Sequence, residues 1–266
     1  MLVDTHLHLD LEHFDADRAA VVERARSAGV KGSVLIGFEP RRWLTTAELC
    51  ARCPGMVRAA GVHPNSVTTW SAGTEKLLAD ELGKPGVVAL GEIGLDFYRD
   101  RADPDQQRAV FGAQLALARE LAVPVVIHQR AAEQEVLDTL ARFAPLRGVM
   151  HCFTGDKAFA ARCLALGLHL GLGGVLTFPR STDVREAVRQ APLDRLLLET
   201  DAPFIAPQAW RGRRNEPAYV ATVAEQLAQL RGLDLATIAE QTTRNAVELF
   251  GQQLAIALPM TERANV

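Results

Sequence analysis

Apolar residues in this chain come in short unbroken runs, and between the runs they recur at helical spacing. Eight runs read as strands: residues 1–9 (MLVDTHLHL), 32–38, 57–64, 86–96, 123–129, 147–155, 168–178 and 194–203. Most are continuous rather than alternating, which is the pattern of strands covered on both faces. Residues 103–122 place Phe111, Leu115, Ala118 and Ala122 on one helical stripe, with Arg108, Gln114 and Arg119 turned away from it. Asp103 is the expected N-cap there, Pro104 the first helical residue and Gln106 the partner of a capping-box-like start. Residues 133–144 repeat the pattern with Val136, Leu137, Leu140 and Phe143, and 183–191 repeat it more briefly with Asp183 as a cap. A long helical stretch over 217–250 is divided by Gly232.

Strands that alternate with helices predict an α/β fold, a single-domain (β/α)8 TIM barrel over residues 1–251, with 252–266 as a poorly ordered C-terminal tail. An open doubly wound sheet is the alternative. It lacks a G-x-G-x-x-G turn after the first strand.

Size and charge narrow the picture. The chain has 266 residues, which suits one such barrel, and 48% are hydrophobic, enough to build its core. The net charge of −3 excludes a general affinity for polyanions, so nucleic acid would have to be held by a local basic cluster or by bound cations. No basic-then-apolar leader opens the chain, and no window approaches ~18 uninterrupted apolar residues, so a membrane span is not expected. Four cysteines point to a reducing compartment, and the cytoplasm is the expected location. Cys50 and Cys53 form a C-x-x-C without a second pair at matching spacing, so they read as ordinary helix residues.

The polar residues fall where a barrel does its chemistry, at the C-terminal ends of the strands. The first run ends on His6 and His8, the third on His63, the fourth carries Glu92, the fifth ends on His128, the sixth on His151, and the eighth on Glu199 and Asp201. His6 and His8 are i and i+2, so both face the same side of a strand. Imidazoles and carboxylates gathered in a lumen are costly to bury unpaired, and a divalent cation removes that cost. Glu92, with two oxygens, is the natural bridge between two ions. His6, His8 and Asp201 would complete one metal, and His128 with His151 the other. Mixed nitrogen and oxygen donors leave zinc, magnesium, manganese and iron open. Glu199 reads either as an orienting partner for a ligand histidine or as a plain strand-end residue. His13 and His169 fall outside this set. Residues 210–216 (WRGRRNE) place Arg211, Arg213 and Arg214 after the last strand. They are expected to clamp phosphate while Trp210 stacks on a base, with Arg99 and Arg101 adding to the patch.

Taken together, DTHLHLD, GVHP (61–64), GEIGLDF (91–97), PVVIH (124–128), HCFTG (151–155), ETDAP (199–203), RGRRNEP (211–217) and RNAVELFG (244–251) resemble the TatD family of metal-dependent deoxyribonucleases, within the amidohydrolase-like barrel superfamily. The stretches cover nearly the whole chain in the family's order. The resemblance implies a barrel with a binuclear centre that hydrolyses phosphodiester bonds, typically of DNA. Carried over by position, His6, His8, Glu92 and Asp201 would hold one cation and Glu92, His128 and His151 the other. His63 would lie near the scissile phosphate. After His128 the family often has a small residue, then Arg and Asp; here Gln129 and Ala131 depart from that pattern and Arg130 keeps it.

The expected catalytic residues are therefore Asp201, Glu92 and His63, and the expected substrate-binding residues His63, Arg130, Arg211, Arg213 and Arg214. A pair of cations bridged by Glu92 would acidify a shared water, and Asp201 would take its proton. Single-stranded DNA is the expected partner, without a membrane or an obligate protein partner. The alternative is a binuclear hydrolase acting on another ester or amide.

Overall fold

The computed structural model describes residues 1–259. Strands form where the apolar runs predict them: β1 (Leu2–Leu7), β2 (Val30–Gly37), β3 (Met56–Ala60), β4 (Val87–Asp96), β5 (Val125–Arg130), β6 (Gly148–Met150), β7 (Leu168–Leu172) and β8 (Leu196–Leu198). Between and after them lie α1 (Arg18–Ser27), α2 (Pro40–Arg52), α3 (Ala72–Leu82), α4 (Pro104–Glu120), α5 (Glu133–Ala141), α6 (Lys157–Ala165), α7 (Thr182–Gln190), α8 (Val220–Arg231), α9 (Leu235–Phe250) and α10 (Gln252–Ala257). The strands form one sheet in sequential order, every neighbouring pair parallel. Its seam runs between β1 and the residues after β8. There Asp201 N donates to the His6 carbonyl at 2.9 Å and His8 N to the Ala202 carbonyl at 2.8 Å. The result is the expected TIM barrel, and candidate site residues form its closing hydrogen bonds.

The lumen is layered. Val57, Val126, Val149 and Leu197 come from strands spread around the ring, yet they belong to one apolar cluster with Phe250 and Leu254. Side chains so far apart in sequence meet only by pointing inward. Two residues further along three of those strands, the same face presents His128, His151 and Glu199. The apolar layer thus forms the floor on which the polar layer sits.

Helix α4 starts as expected, with the Asp103 carboxylate accepting from the N–H groups of Asp105 and Gln106. Gln114, expected on the solvent side, is instead buried. Its amide pairs with both backbone groups of Val62, at 2.8 and 2.9 Å. Gln107, two turns earlier, does the same for Asp96, at 2.8 and 3.1 Å. A buried strand end leaves N–H and C=O groups that need partners, and these two glutamines supply them. Ala122, expected on the apolar stripe, falls past the helix end at φ 53° and is exposed.

In helix α7 the N-cap position is Ser181, whose side chain makes no capping hydrogen bond, and Asp183, expected as the cap, lies inside the first turn. Gly232, at φ 64°, separates α8 from α9. Part of the tail expected after Gly251 is helical. It forms α10, whose Leu254 and following Leu258 are buried against Val3, Val34 and Val88, while Gln253 bonds to Gly86 and Val87 at the start of β4. Residues 260–266 of that tail lie outside the described residues.

Candidate metal centre

Five strand ends deliver the site. His6 lies in β1 and His8 just beyond it, Glu92 within β4, His128 within β5, His151 directly after β6, and Asp201 three residues after β8. In β4, Gly94 has φ 148°, and a Cβ there would come within 1.9 Å of the His128 carbonyl. Only glycine lets β4 pass so close to β5, and that contact sets Glu92 beside His128.

Glu92 is 4% exposed and faces two groups with its two oxygens. Oε2 lies 3.4 Å from His6 Nε2 and 3.9 Å from His8 Nε2. Oε1 lies 2.8 Å from His128 Nδ1, 3.1 Å from His151 Nε2 and 3.6 Å from His63 Nε2. Asp201 Oδ1 completes the first group, 3.3 Å from His8 Nε2 and 3.7 Å from His6 Nε2. Every residue expected to hold metal is therefore within this centre.

Burial alone would push the Glu92 carboxyl up. The histidines around it, His151 first, then His63 and His128, outweigh that and hold it well below the usual range. Burial likewise opposes charge on His151, but Glu92 and then Glu199 raise its pKa well above that of free imidazole. Asp201 is held low against its burial by His8 and then His151.

These residues fit divalent cations. Both ring nitrogens of His6 and of His128 and Nδ1 of His8 are buried with no hydrogen-bond partner. His128 Nδ1 is only 2.8 Å from Glu92 Oε1, yet the pair lacks hydrogen-bond alignment. Two of these nitrogens, His6 Nε2 and His128 Nδ1, face the Glu92 oxygens, and a buried nitrogen aimed at a carboxylate without a hydrogen bond is open to a cation. Three sets of ligand atoms lie close enough to share an ion: His6, His8 and Glu92; His63, Glu92 and His128; and His6, His151 and Glu199.

Hydrogen bonds at the opposite ring nitrogens sort these sets. Glu199 Oε1 lies 3.1 Å from His151 Nδ1 and accepts from Cys152 N at 2.6 Å, so Glu199 holds His151 by one nitrogen and leaves Nε2 for Glu92's side. Such a carboxylate behind a ligand histidine fixes its tautomer and orientation. His63 Nδ1 accepts from Asn65 N at 3.0 Å, which places the proton of the neutral ring on Nε2. Burial, chiefly, lowers the His63 pKa to about 3. His63 thus points an N–H donor at the centre rather than a lone pair.

Sequence reasoning missed Asp96. It is 1% exposed, lies 3.4 Å from His128 Nε2, and accepts from Asn65 Nδ2 and from the backbone N–H groups of Tyr98 and Arg99. It sits four residues after Glu92 on the same strand face, so strand alternation was the available signal. Asp4 was also missed. Its carboxylate accepts from Thr200 N at 3.0 Å and Thr200 Oγ1 at 2.6 Å, tying β1 to the turn that carries Asp201.

The expected arginine clamp divides. Arg214 is already engaged by Asp17, through two bonds of 2.8 Å, by Glu216 at 2.9 Å and by the His13 carbonyl, so it braces the loop. Arg211 and Arg213 are exposed over the rings of Phe178 and Trp210, and Arg130 lies over Tyr98. None of these three has a carboxylate within 4.0 Å among the described residues. Trp210, expected to receive a base, is instead stacked on Tyr219, with ring centres 4.4 Å apart. Gln129 caps the turn after β5 by accepting from Ala132 N, and Ala131 takes a left-handed φ of 53°. His13 is exposed outside the centre, and His169 is buried in β7 at the opposite end of the barrel.

A family model described as TatD related DNase matches residues 3–251. The chain belongs to the TatD-related DNase family. Its TatD relatives include a 3'-5' ssDNA/RNA exonuclease TatD of Erwinia amylovora, 42% identical over 260 residues, covering 94% of this chain and all of that one. An uncharacterized metal-dependent hydrolase, YabD of Bacillus subtilis, is 38% identical over 252 residues, covering 94% of this chain and 99% of that one. The crystal structure of YJJV, a TatD homologue from Escherichia coli K12, superposes with a TM-score of 0.89 at 33% identity, over 94% of this chain and 97% of that one. As a TatD-family protein, this chain is a metal-dependent hydrolase. No helix among the described residues is long and apolar enough to cross a membrane.

Proposed function

We propose that this chain is a two-metal nuclease that removes nucleotides from the 3' end of single-stranded DNA, and of RNA, in the cytoplasm. Four free thiols agree with that location. The observation that carries the reading is Glu92, whose two oxygens face two separate sets of imidazole nitrogens. His6, His8, Glu92 and Asp201 would hold one divalent cation, and Glu92, His128 and His151 the other. Bound there, zinc, magnesium or manganese would supply Lewis acidity to the phosphoryl group and acidify a water.

The chain's own residues would do the rest. The Asp201 side chain is 13% exposed against 5% for Glu92, so it is the carboxylate within reach of an entering water and the one to take its proton. His63 would donate from Nε2 to a phosphoryl oxygen, fixed in that tautomer by Asn65 N. Glu199 and Asp96 would hold His151 and His128 in place. Arg130, Arg211 and Arg213, free of carboxylates, would meet the flanking phosphates.

The test is digestion of end-labelled single strands and duplexes by the purified protein, with each metal and after EDTA. Stepwise shortening of single strands from the 3' end, abolished by chelation, is expected. Digestion that persists in EDTA, or hydrolysis of small esters with no nucleic acid cleaved, would overturn the reading.

A further inference from the structure

Of the Phe, Tyr and Trp side chains, all within the described residues, two are exposed: Tyr98 at 68% and Phe204 at 45%. Chance would scatter them over the surface. Instead both stand at the mouth of the metal centre, Tyr98 two residues after Asp96 and Phe204 three residues after Asp201. They follow β4 and β8, which lie opposite each other in a ring of eight strands. The metal centre lies between them.

Each ring is held on backbone pinned to the site. Tyr98 N donates to the Asp96 carboxylate at 3.2 Å, and Arg130 lies 3.9 Å over the centre of the Tyr98 ring, adding a positive charge and leaving the other face to solvent. The Phe204 carbonyl accepts from Asn215 Nδ2 at 2.6 Å, and the same amide nitrogen holds the Thr200 carbonyl at 2.7 Å. Asn215 itself is fully buried. Gly174 packs against this loop so closely that a Cβ would come within 2.1 Å of the Ile205 carbonyl. The Phe204 ring centre is 5.9 Å from that of His8, so this apolar surface abuts a candidate ligand. The Phe204 ring meets His8 and His13 edge-on and leaves the rest of its surface in water.

We propose that Phe204 and Tyr98 are the two base-stacking platforms of a single-strand lane that crosses the barrel mouth. The scissile phosphate would lie over the metal centre between them and Arg130 would take the phosphate beside the Tyr98 end. This rests on the nuclease reading and names the feature that would select unpaired strands: a base stacks on such a ring only when it is free of its complement.

The test is steady-state kinetics of the holoenzyme on a labelled single-stranded oligonucleotide, and on the same strand with abasic residues at and next to the cleaved end. Phe204→Ala and Tyr98→Ala should each raise KM on the order of tenfold, kcat changing far less, while Phe204→Trp and Tyr98→Phe keep wild-type values. On the abasic strand the alanine variants and the wild type should converge. Both rings are exposed, so thermal midpoints should not move. Unchanged KM in both alanine variants, or losses as large on the abasic strand, would overturn the lane while leaving the nuclease intact. A wild type that cleaves no single strand would overturn the nuclease reading and the lane with it.

Discussion

Glu92 and the atoms behind its histidines explain why this cluster is a metal centre and not a buried ion-pair network. An ion-pair network would satisfy its members mutually, whereas here His6 Nε2 and His128 Nδ1 face the Glu92 oxygens, buried and without a hydrogen bond. Two of the rings are held from behind, His151 by Glu199 and His63 by Asn65 N, while Asp96 faces His128 Nε2 at 3.4 Å. Glu199→Gln tests that arrangement. It keeps size and burial but weakens the hold on His151 Nδ1, and metal affinity or activity should fall roughly 10–100-fold, read by metal titration alongside rates. Unaltered affinity and rate would reduce Glu199 to a strand-end residue. At this scale the residues that gather around Glu92 were legible because histidine and carboxylate at strand ends carry their meaning in their type and spacing. Asp96 was not, because an aspartate before a loop also reads as a turn residue. The tautomer of His63 was not legible either, since it depends on the path of the backbone at Asn65.

Among the elements, α4 shows what periodicity cannot see. Gln107 and Gln114 lie one above the other on the helix, two turns apart, and bind the ends of β4 and β3 where Asp96 and Val62 leave the sheet. The binary pattern assigns glutamine to the surface; a buried strand end with open backbone groups reverses that. The loop after β8 is the second case. Three arginines in four residues suggest one patch, yet Arg214 joins Arg24, Asp17 and Glu216 in a network that fixes the loop to α1. Glu216 would be pushed up by burial, but Arg24 and then Arg214 outweigh it and hold its carboxyl below the usual range. A depressed carboxyl stabilises the fold fully above its unfolded value of about 4.3 and loses that contribution as pH falls through the folded one. Glu216→Gln should therefore lower the thermal midpoint at pH 7 by about 2–4 °C, with the gap from wild type narrowing as pH falls below the usual carboxylate range. A gap that stays constant with pH would show that the charge is not what binds this loop.

Over the whole molecule, the strand count, the parallel order and the mouth that carries chemistry could all be read from the sequence, because inward-facing apolar residues and the polar residues two places on repeat strand after strand. The end of the chain could not. Nothing in the short run after Gly251 distinguishes a loose tail from α10, whose Leu254 and the following Leu258 join the apolar cluster of Val3, Val34, Val126 and Leu197 contributed by distant strands. The closed ring also explains how His6 and Asp201, nearly two hundred residues apart, come within 3.7 Å. The measurement that bears most directly on this account is the number of divalent ions held per chain, by elemental analysis after dialysis, in the wild type and in His128→Ala and Glu92→Ala. Two ions in the wild type, about one in His128→Ala and less than one in Glu92→Ala are predicted. A single ion in the wild type, or two that survive Glu92→Ala, would contradict a centre bridged by that carboxylate.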